Sequence, residues 1–161
     1  MTAVTPTLAQ VIGAVRTTIE TAFPTHAVIG FEYTVDEELE YVERVQDFDT
    51  GQVDLWVIDY EGADPVAGEA QRETYEPYRI RIRYVTVRKG ELDWSGTARD
   101  NAETVRTALT HSVAVFRIGN QVPVNGTPET VSAEHGRREL SGGGFVFESV
   151  LRLIVEGRRW G

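Results

Sequence analysis

The stretch Tyr78–Val87, YRIRIRYVTV, alternates arginine with apolar or aromatic side chains through its first half. Successive side chains of a β-strand point to opposite faces of the sheet, so this alternation predicts a strand with two unlike faces. One parity carries the side chains expected to pack on the core: Ile80, Ile82 and Tyr84. The other parity carries the cations Arg79, Arg81 and Arg83, and we expect that face to meet solvent or a partner.

An amphipathic helix is predicted ahead of the strands, over residues 5–23. Its apolar residues recur at helical spacing and indicate one buried stripe: Leu8, Val11, Ile12, Val15, Ile19 and Phe23. We expect Thr5 to cap this helix with Pro6 at its first position, and Pro24 to end it.

Three strands are predicted between that helix and the arginine strand. They cover residues 26–35, then 37–49 with weaker alternation, then 52–61 after a turn. Residues 61–77 are rich in Gly, Ala, Pro and charged side chains, which predicts a long loop.

A second helix is predicted over residues 97–111, with Thr97 as its cap and Asp100 three residues later. Its apolar stripe consists of Ala98, Ala102, Val105 and Leu109. Residues 113–118 fit either a strand or a continuation of this helix, and their β-branched side chains favour the strand. Residues 129–140 and 145–159 predict a hairpin around the glycine-rich loop 141–144, with a long last strand.

This order of elements predicts one α+β domain over residues 1–161. We expect a mainly antiparallel sheet with two helices packed on one face, ending in a long β-hairpin. A chain of 161 residues is long enough to bury a core without disulfides, and it contains no cysteine. We find no signal peptide and no apolar run long enough to span a bilayer, so no membrane partner is predicted.

Charge is unevenly distributed along this acidic chain, whose formal net charge is −9. Residues 32–76 contain 15 acidic and two basic residues, a balance of −13, whereas the remaining residues balance at +4. Acidic side chains on solvated strands and loops are common, but such asymmetry within a small domain also favours head-to-tail contacts between copies.

No motif in the sequence predicts a catalytic, cofactor-binding or metal site. The histidines, His26, His111 and His135, are too far apart in sequence for any familiar metal-ligand spacing. Asp47 and Asp49 would share one face of a strand, but in so acidic a stretch they fit the solvated edge of a turn better than acid–base chemistry. The glycine-rich loop lacks the ending of a phosphate-binding loop. We therefore expect no enzyme activity and no cofactor.

Three stretches together resemble the tail terminator (tail completion) proteins of long-tailed bacteriophages. They are the amino-terminal helix ending at AFP, the unit YRIRIRYVTV…TARDNAETVRTAL, and the closing RRELSGGGFVFESVLRLIVEG. The likeness spans most of the chain and depends on the order of elements more than on a signature motif.

The resemblance implies a structural virion protein located in the phage tail and assembled in the host cytoplasm. Such proteins form a homohexameric ring on the last ring of the tail tube protein and end tube polymerisation. They present the head–tail joining surface to the head-side connector or stopper protein, while double-stranded DNA passes through the lumen without specific binding. The alternative from another class is a small-ligand-binding or catalytic α+β domain.

Arg79, Arg81 and Arg83 are the candidate subunit-interface residues. A DNA grip is disfavoured because several phosphate contacts per subunit would hold a genome that has to slide, and because the chain is acidic. The acid-rich region 32–76 is the favoured counterpart, on neighbouring strands of the same chain or on the next subunit. We expect Arg81→Glu to weaken assembly with little effect on folding; a solvated strand face without a partner is the simplest alternative.

Overall fold

The computed structural model describes residues 6–32, 53–62, 66–67, 74–87, 94–110, 117–118, 122–123, 131–139 and 145–160. In chain order, the elements within these ranges are α1 (Leu8–Ala22), β1 (Ala27–Gly30), β2 (Val53–Tyr60), β3 (Val66–Ala67), β4 (Thr74–Val87), α2 (Trp94–Leu109), β5 (Arg117–Ile118), β6 (Val122–Pro123), β7 (Ser132–Glu139) and β8 (Phe145–Trp160).

The main sheet has the strand order β1-β2-β4-β8-β7, with β3 also paired to β4. Strand β1 runs parallel to β2, and the other pairs of this sheet are antiparallel. Strands β5 and β6 form a separate two-stranded antiparallel ladder. The predicted α+β class with a mainly antiparallel sheet and a closing hairpin, β7–β8, is therefore confirmed.

Helix α1 begins two residues later than the sequence predicts. Thr7, not Thr5, is the N-cap: its hydroxyl accepts from the Gln10 amide at 3.3 Å, and the Gln10 side chain accepts from the Thr7 amide at 2.9 Å. This reciprocal pair satisfies two amides that a helix start leaves without partners, which Thr5 could not do because the residue three positions after it is Leu8. Phe23 caps the carboxyl end directly before Pro24, as expected.

The predicted apolar stripe of α1 faces the sheet. Val11, Val15 and Ile19 are completely buried, and Leu8 and Phe23 pack against the same cluster at its edge. A Cβ atom at Gly30 of β1 would lie 2.7 Å from Ile12 Cγ2, so α1 approaches β1 this closely because residue 30 has no side chain.

Helix α2 begins at Trp94, so Thr97 lies inside it and the predicted cap is wrong. The helix also ends at Leu109, two residues before the predicted boundary. Its apolar stripe is as predicted, because Ala98, Ala102, Val105 and Leu109 are all buried. Within the described parts of the chain, neither helix has the length and apolarity needed to cross a membrane.

The predicted loop 61–77 contains two strand segments. Strand β3 pairs with the start of β4, which extends back to Thr74. The loop-like composition of this segment misled the prediction. Strand β8 is 16 residues long, and the pairing of its end with Thr74 and Tyr75 makes these two residues part of a strand. Pro77 is tolerated in the strand because the register shifts between Tyr75 and Pro77, and such irregularities accommodate a residue without an amide hydrogen.

The remaining strand predictions are met in part. Residues 117–118 are strand, as β-branching favoured, whereas β6 lies in a stretch predicted as loop. Strand β1 covers only Ala27–Gly30 of the predicted 26–35. The weak strand predicted at 37–49 lies outside the described residues.

The main core lies between both helices and one face of the sheet. Besides the helix stripes, it contains the predicted core side of β4 and the inward residues of its neighbours: Trp56, Ile58, Tyr78, Ile80, Ile82, Tyr84, Phe147, Leu151, Leu153 and Val155. The two helices therefore pack on one face, as predicted.

We expect Val15→Asp to prevent folding. Val15 has no exposed surface, so the carboxylate would be buried between α1 and the sheet without a partner, at a cost of ~4 kcal/mol or more. The matched control is Thr17→Asp on the exposed side of the same helix. Circular dichroism and thermal unfolding would measure both; a Val15→Asp protein melting at the wild-type temperature would contradict the packing of α1.

Candidate interaction surface

The sheet face opposite the helices, which we term the arginine face, is divided into an apolar and a charged half. Its apolar half forms a second buried cluster of Val53, Leu55, Val57, Val85 and Val146. Its charged half contains Asp59, Glu61, Arg79, Arg81, Arg83 and Arg152. The division follows from antiparallel pairing, which sets the polar end of β2 beside the start of β4.

A buried carboxylate organises the arginines of β4. Asp59 of β2 is directly opposite Arg81 in the register, and its side chain is completely buried. Arg81 Nε donates to Asp59 Oδ1 at 3.0 Å and Nη2 to Oδ2 at 2.5 Å, a bidentate pair. Arg83 Nη2 lies 3.5 Å from the same Oδ2 atom. Two guanidinium groups therefore share one buried carboxylate.

The three predicted interface residues consequently differ in exposure. Arg83 is 5% exposed, Arg81 keeps 15% of its side chain exposed, and Arg79 is exposed. The expectation that this whole face meets solvent or a partner is thus met at Arg79 and not at Arg83. Because Arg81→Glu would place a second carboxylate against buried Asp59, the expectation that this change spares folding no longer holds.

Beside Arg79 lies a groove of about 350 Å³ that crosses from β4 to β8. Arg152 donates through Nε to Glu61 Oε1 at 3.1 Å, and its Nη1 lies 3.7 Å from Glu134 Oε2. Ile154, the residue paired with Arg79, has 56% of its surface exposed. An apolar side chain within a charged rim has the arrangement of a protein contact on the scale of one residue, although single exposed apolar residues are also common on monomers.

A separate polar cluster connects the helices to the core side of the sheet. Trp56 Nε1 donates to His26 Nδ1 at 3.0 Å, and His26 Nε2 lies 3.8 Å from Asp54 Oδ2. Tyr84 donates to Asp54 at 2.8 Å, and Asn101 of α2 donates to the Tyr84 hydroxyl at 3.1 Å. His26 is partly buried and also stacks on Phe23 and Tyr84, an arrangement that fits a structural residue.

Burial raises the pKa of the Tyr84 hydroxyl above its usual value, and the adjacent Asp54 carboxylate adds to this effect, whereas the hydrogen bond from Asn101 opposes it. Tyr84 therefore remains a neutral donor to Asp54 across the whole range of physiological pH. The phenol is used to satisfy a buried acceptor and not to supply a reactive oxyanion.

A third polar cluster joins α2 to the β7–β8 hairpin. His135 Nδ1 lies 2.8 Å from Ser149 Oγ, and His135 Nε2 lies 3.0 Å from Glu103 Oε1. The His135 hydrogen bond lowers the pKa of Glu103, an effect that desolvation partly opposes and that Arg106 reinforces. Arg106 Nε in turn donates to the Val131 carbonyl at 2.7 Å. The cluster fixes one end of α2 against the hairpin.

The serine, histidine and carboxylate of this cluster are ordered as in hydrolytic triads, but Ser149 is 3% exposed and lies within the strand β8. Sequence spacing did not reveal either histidine cluster, because each forms between residues distant in the chain. Among the described residues, no group of three potential metal-ligating side chains occurs. His111, Asp47 and Asp49 lie outside them.

Neither a known protein family nor a curated protein matches the sequence. Among solved structures, a chain from "Virion of native gene transfer agent (GTA) particle" aligns with 14% identity over 91% of this chain and 98% of its own, at a TM-score of 0.42. A TM-score this low does not demonstrate a shared fold, so nothing about the role of this protein follows from it.

We expect Asp59→Asn to destabilise the fold by ~3–5 kcal/mol, because it removes the carboxylate shared by two largely buried guanidinium groups. Glu61→Gln is the matched control: its pair with Arg152 is solvated, so its loss should cost ~1 kcal/mol or less. Urea denaturation would measure both. Equal urea midpoints for the two variants would show that Asp59 contributes no more to stability than the solvated Glu61 does.

Proposed function

We propose that this protein is a structural subunit of a bacteriophage tail or a phage-derived particle, and within that class a tail terminator. In this role it assembles as a hexameric ring on the end of the tail tube, stops tube polymerisation and forms the surface that meets the head-side connector. Double-stranded DNA passes through the ring without specific binding.

The observation that carries the proposal is the composition of the charged half of the arginine face. Asp59 holds Arg81 and Arg83 in place, while Arg79 is exposed beside Ile154 and the groove. Because Asp59 fixes Arg81 two positions along the same strand, the backbone that presents Arg79 is already ordered when a partner docks. A surface of this kind suits a repeated, specific protein contact.

The sequence resemblance supplies the particular assembly. Tail terminators combine an antiparallel sheet with two helices, and this chain has both helices on one face and a long closing hairpin. The acid-rich region 32–76 supplies Asp59 and Glu61 to the arginine face of its own chain, and its other acidic residues, on the next subunit, are the natural counterpart of exposed Arg79. A head-to-tail contact between unlike surfaces is the type that closes into a ring.

We expect Arg79→Glu to weaken subunit association ~10-fold or more while leaving the fold intact, because Arg79 is exposed and reversal would repel an acidic neighbour. Arg99→Glu, the same charge change on the exposed side of α2, is the control. Oligomer mass should be determined by light scattering, alone and with tail tube protein, alongside duplex-DNA titrations at two salt concentrations. An intact oligomer with a loss of strong, salt-sensitive DNA binding would contradict the interface role.

A second candidate function, ester hydrolysis, is favoured by the Ser149–His135–Glu103 cluster alone. In one tautomer, His135 Nδ1 accepts from the Ser149 hydroxyl while Nε2–H donates to Glu103, which is the protonation a nucleophilic serine requires. A structural role accounts better for a serine that is 3% exposed within a paired strand.

We therefore expect an activated ester such as p-nitrophenyl acetate to be hydrolysed no faster with the protein than with a Ser149→Ala variant. Ser132→Ala, an exposed hydroxyl on the adjacent strand, is the control. Hydrolysis that is lost in Ser149→Ala and kept in Ser132→Ala would replace the structural proposal by an enzymatic one.

A further inference from the structure

Strand β7 is the last strand of the main sheet at the end away from β1. One edge of β7 pairs with β8 in an unbroken register from Ser132 to Glu139. Its residues are also accessible, because Ser132 and residues 134–137 are exposed. Among the described strands, no other neighbour pairs with β7. An eight-residue regular strand in this position offers a row of backbone donors and acceptors to another strand.

The charge pattern of β7 is self-complementary when two copies of the strand run antiparallel to each other. Its sequence, SAEHGRRE, places Glu134 two residues before Gly136 and Arg138 two residues after it. If two copies pair antiparallel with Gly136 opposite Gly136, each Glu134 comes opposite an Arg138, twice over by symmetry. Opposite charges at directly paired positions favour that register, and like charges would oppose it.

Neighbouring registers fit less well. Paired residues must share a sheet face, so the register can shift only in steps that keep this parity. The next register in one direction sets His135 opposite itself and Glu134 opposite Gly136. The next in the other direction sets Arg137 opposite itself. The register centred on Gly136 is the one that brings both Glu134–Arg138 pairs together.

We propose that β7 is a docking edge for a second copy of this chain, which adds its own β7 antiparallel about a two-fold axis at Gly136. The contact continues the sheet across two molecules and leaves Arg79 and the groove beside it accessible for the proposed ring contact. His135 does not obstruct this pairing, since its side chain is already bound to Glu103 and Ser149. The Glu134–Arg152 pair is 3.7 Å long and 77% of the Glu134 side chain is exposed, so Glu134 can turn to a new partner.

The absence of cysteine from the chain allows a sharp test by cross-linking. In the proposed pair the two Gly136 Cα atoms lie ~4.5–5.5 Å apart, within the range that a disulfide spans. A Cβ at Gly136 meets no atom within 4 Å, so Gly136→Cys is accommodated. With oxidised glutathione as the oxidant, two Gly136→Cys thiols should form an intermolecular disulfide, seen as a dimer on non-reducing gels.

Ser132→Cys is the matched control, since Ser132 is exposed on the same edge. Two copies of residue 132 would be separated by eight residues of strand, roughly 27 Å, and should not cross-link. Cross-linking of both variants to the same extent, or of neither, would overturn the two-fold pairing.

Charge reversal gives an independent measurement in the protein without introduced cysteines. Glu134→Arg alone sets arginine against Arg138, and Arg138→Glu alone sets glutamate against Glu134, so each variant should lose self-association by ~10-fold or more. A mixture of the two restores both opposite pairs, and light scattering should detect heterodimers. Failure of the mixture to associate, with both variants folded by circular dichroism, would refute the register.

The two-fold contact and the proposed ring can fail separately. Arg79→Glu should leave the Gly136→Cys cross-link unchanged, because Arg79 lies on the arginine face of β4 and not on the β7 edge. A different protein whose strand occupies β7 would instead suppress the Gly136→Cys homodimer when it is added.

Discussion

The register in which β4 lies between β2 and β8 is the constraint on which the rest of the structure depends. Each residue of β4 between Ile80 and Thr86 has a partner on both neighbours, so its two faces are assigned by those strands together. A slip of one residue would turn Arg81 and Arg83 into the helix-covered core and expose Ile82. The ion pair between Asp59 and Arg81 also disfavours such a slip, because the buried carboxylate would lose its bidentate partner. Hydrophobic and ionic terms therefore specify one alignment.

Features encoded by local periodicity could be predicted from the sequence. The apolar stripe of α1, the two parities of β4 and the closing hairpin each repeat over several turns or several pairs of residues, so the signal does not depend on a single position. The helix starts were less predictable. Thr7 and Thr5 are equally good caps by composition, and the choice depends on where Gln10 can return a hydrogen bond.

The parts of the candidate surface that escaped prediction all depend on contacts between distant segments. Asp59 had no feature in the sequence that distinguished it from the many acids around it, and its importance arises from being opposite Arg81. His135 meets Glu103 across a separation of 32 residues. Strand β3 is too short to carry a periodic signal and exists because β4 continues beyond its predicted start. In each case tertiary pairing decided what composition could not.

The charges on the arginine face fall into two groups that respond differently to ionic strength. The pair between Asp59 and Arg81 is shielded from ions, whereas Arg152 and Glu61 are solvated and Arg79 is exposed. At physiological salt the Debye length is about 8 Å, so exposed charges are screened while buried pairs are screened far less. The protein can therefore keep its fold over a wide range of salt while its exposed contacts strengthen or weaken. The salt concentration can thus change the strength of association between copies without unfolding the protein.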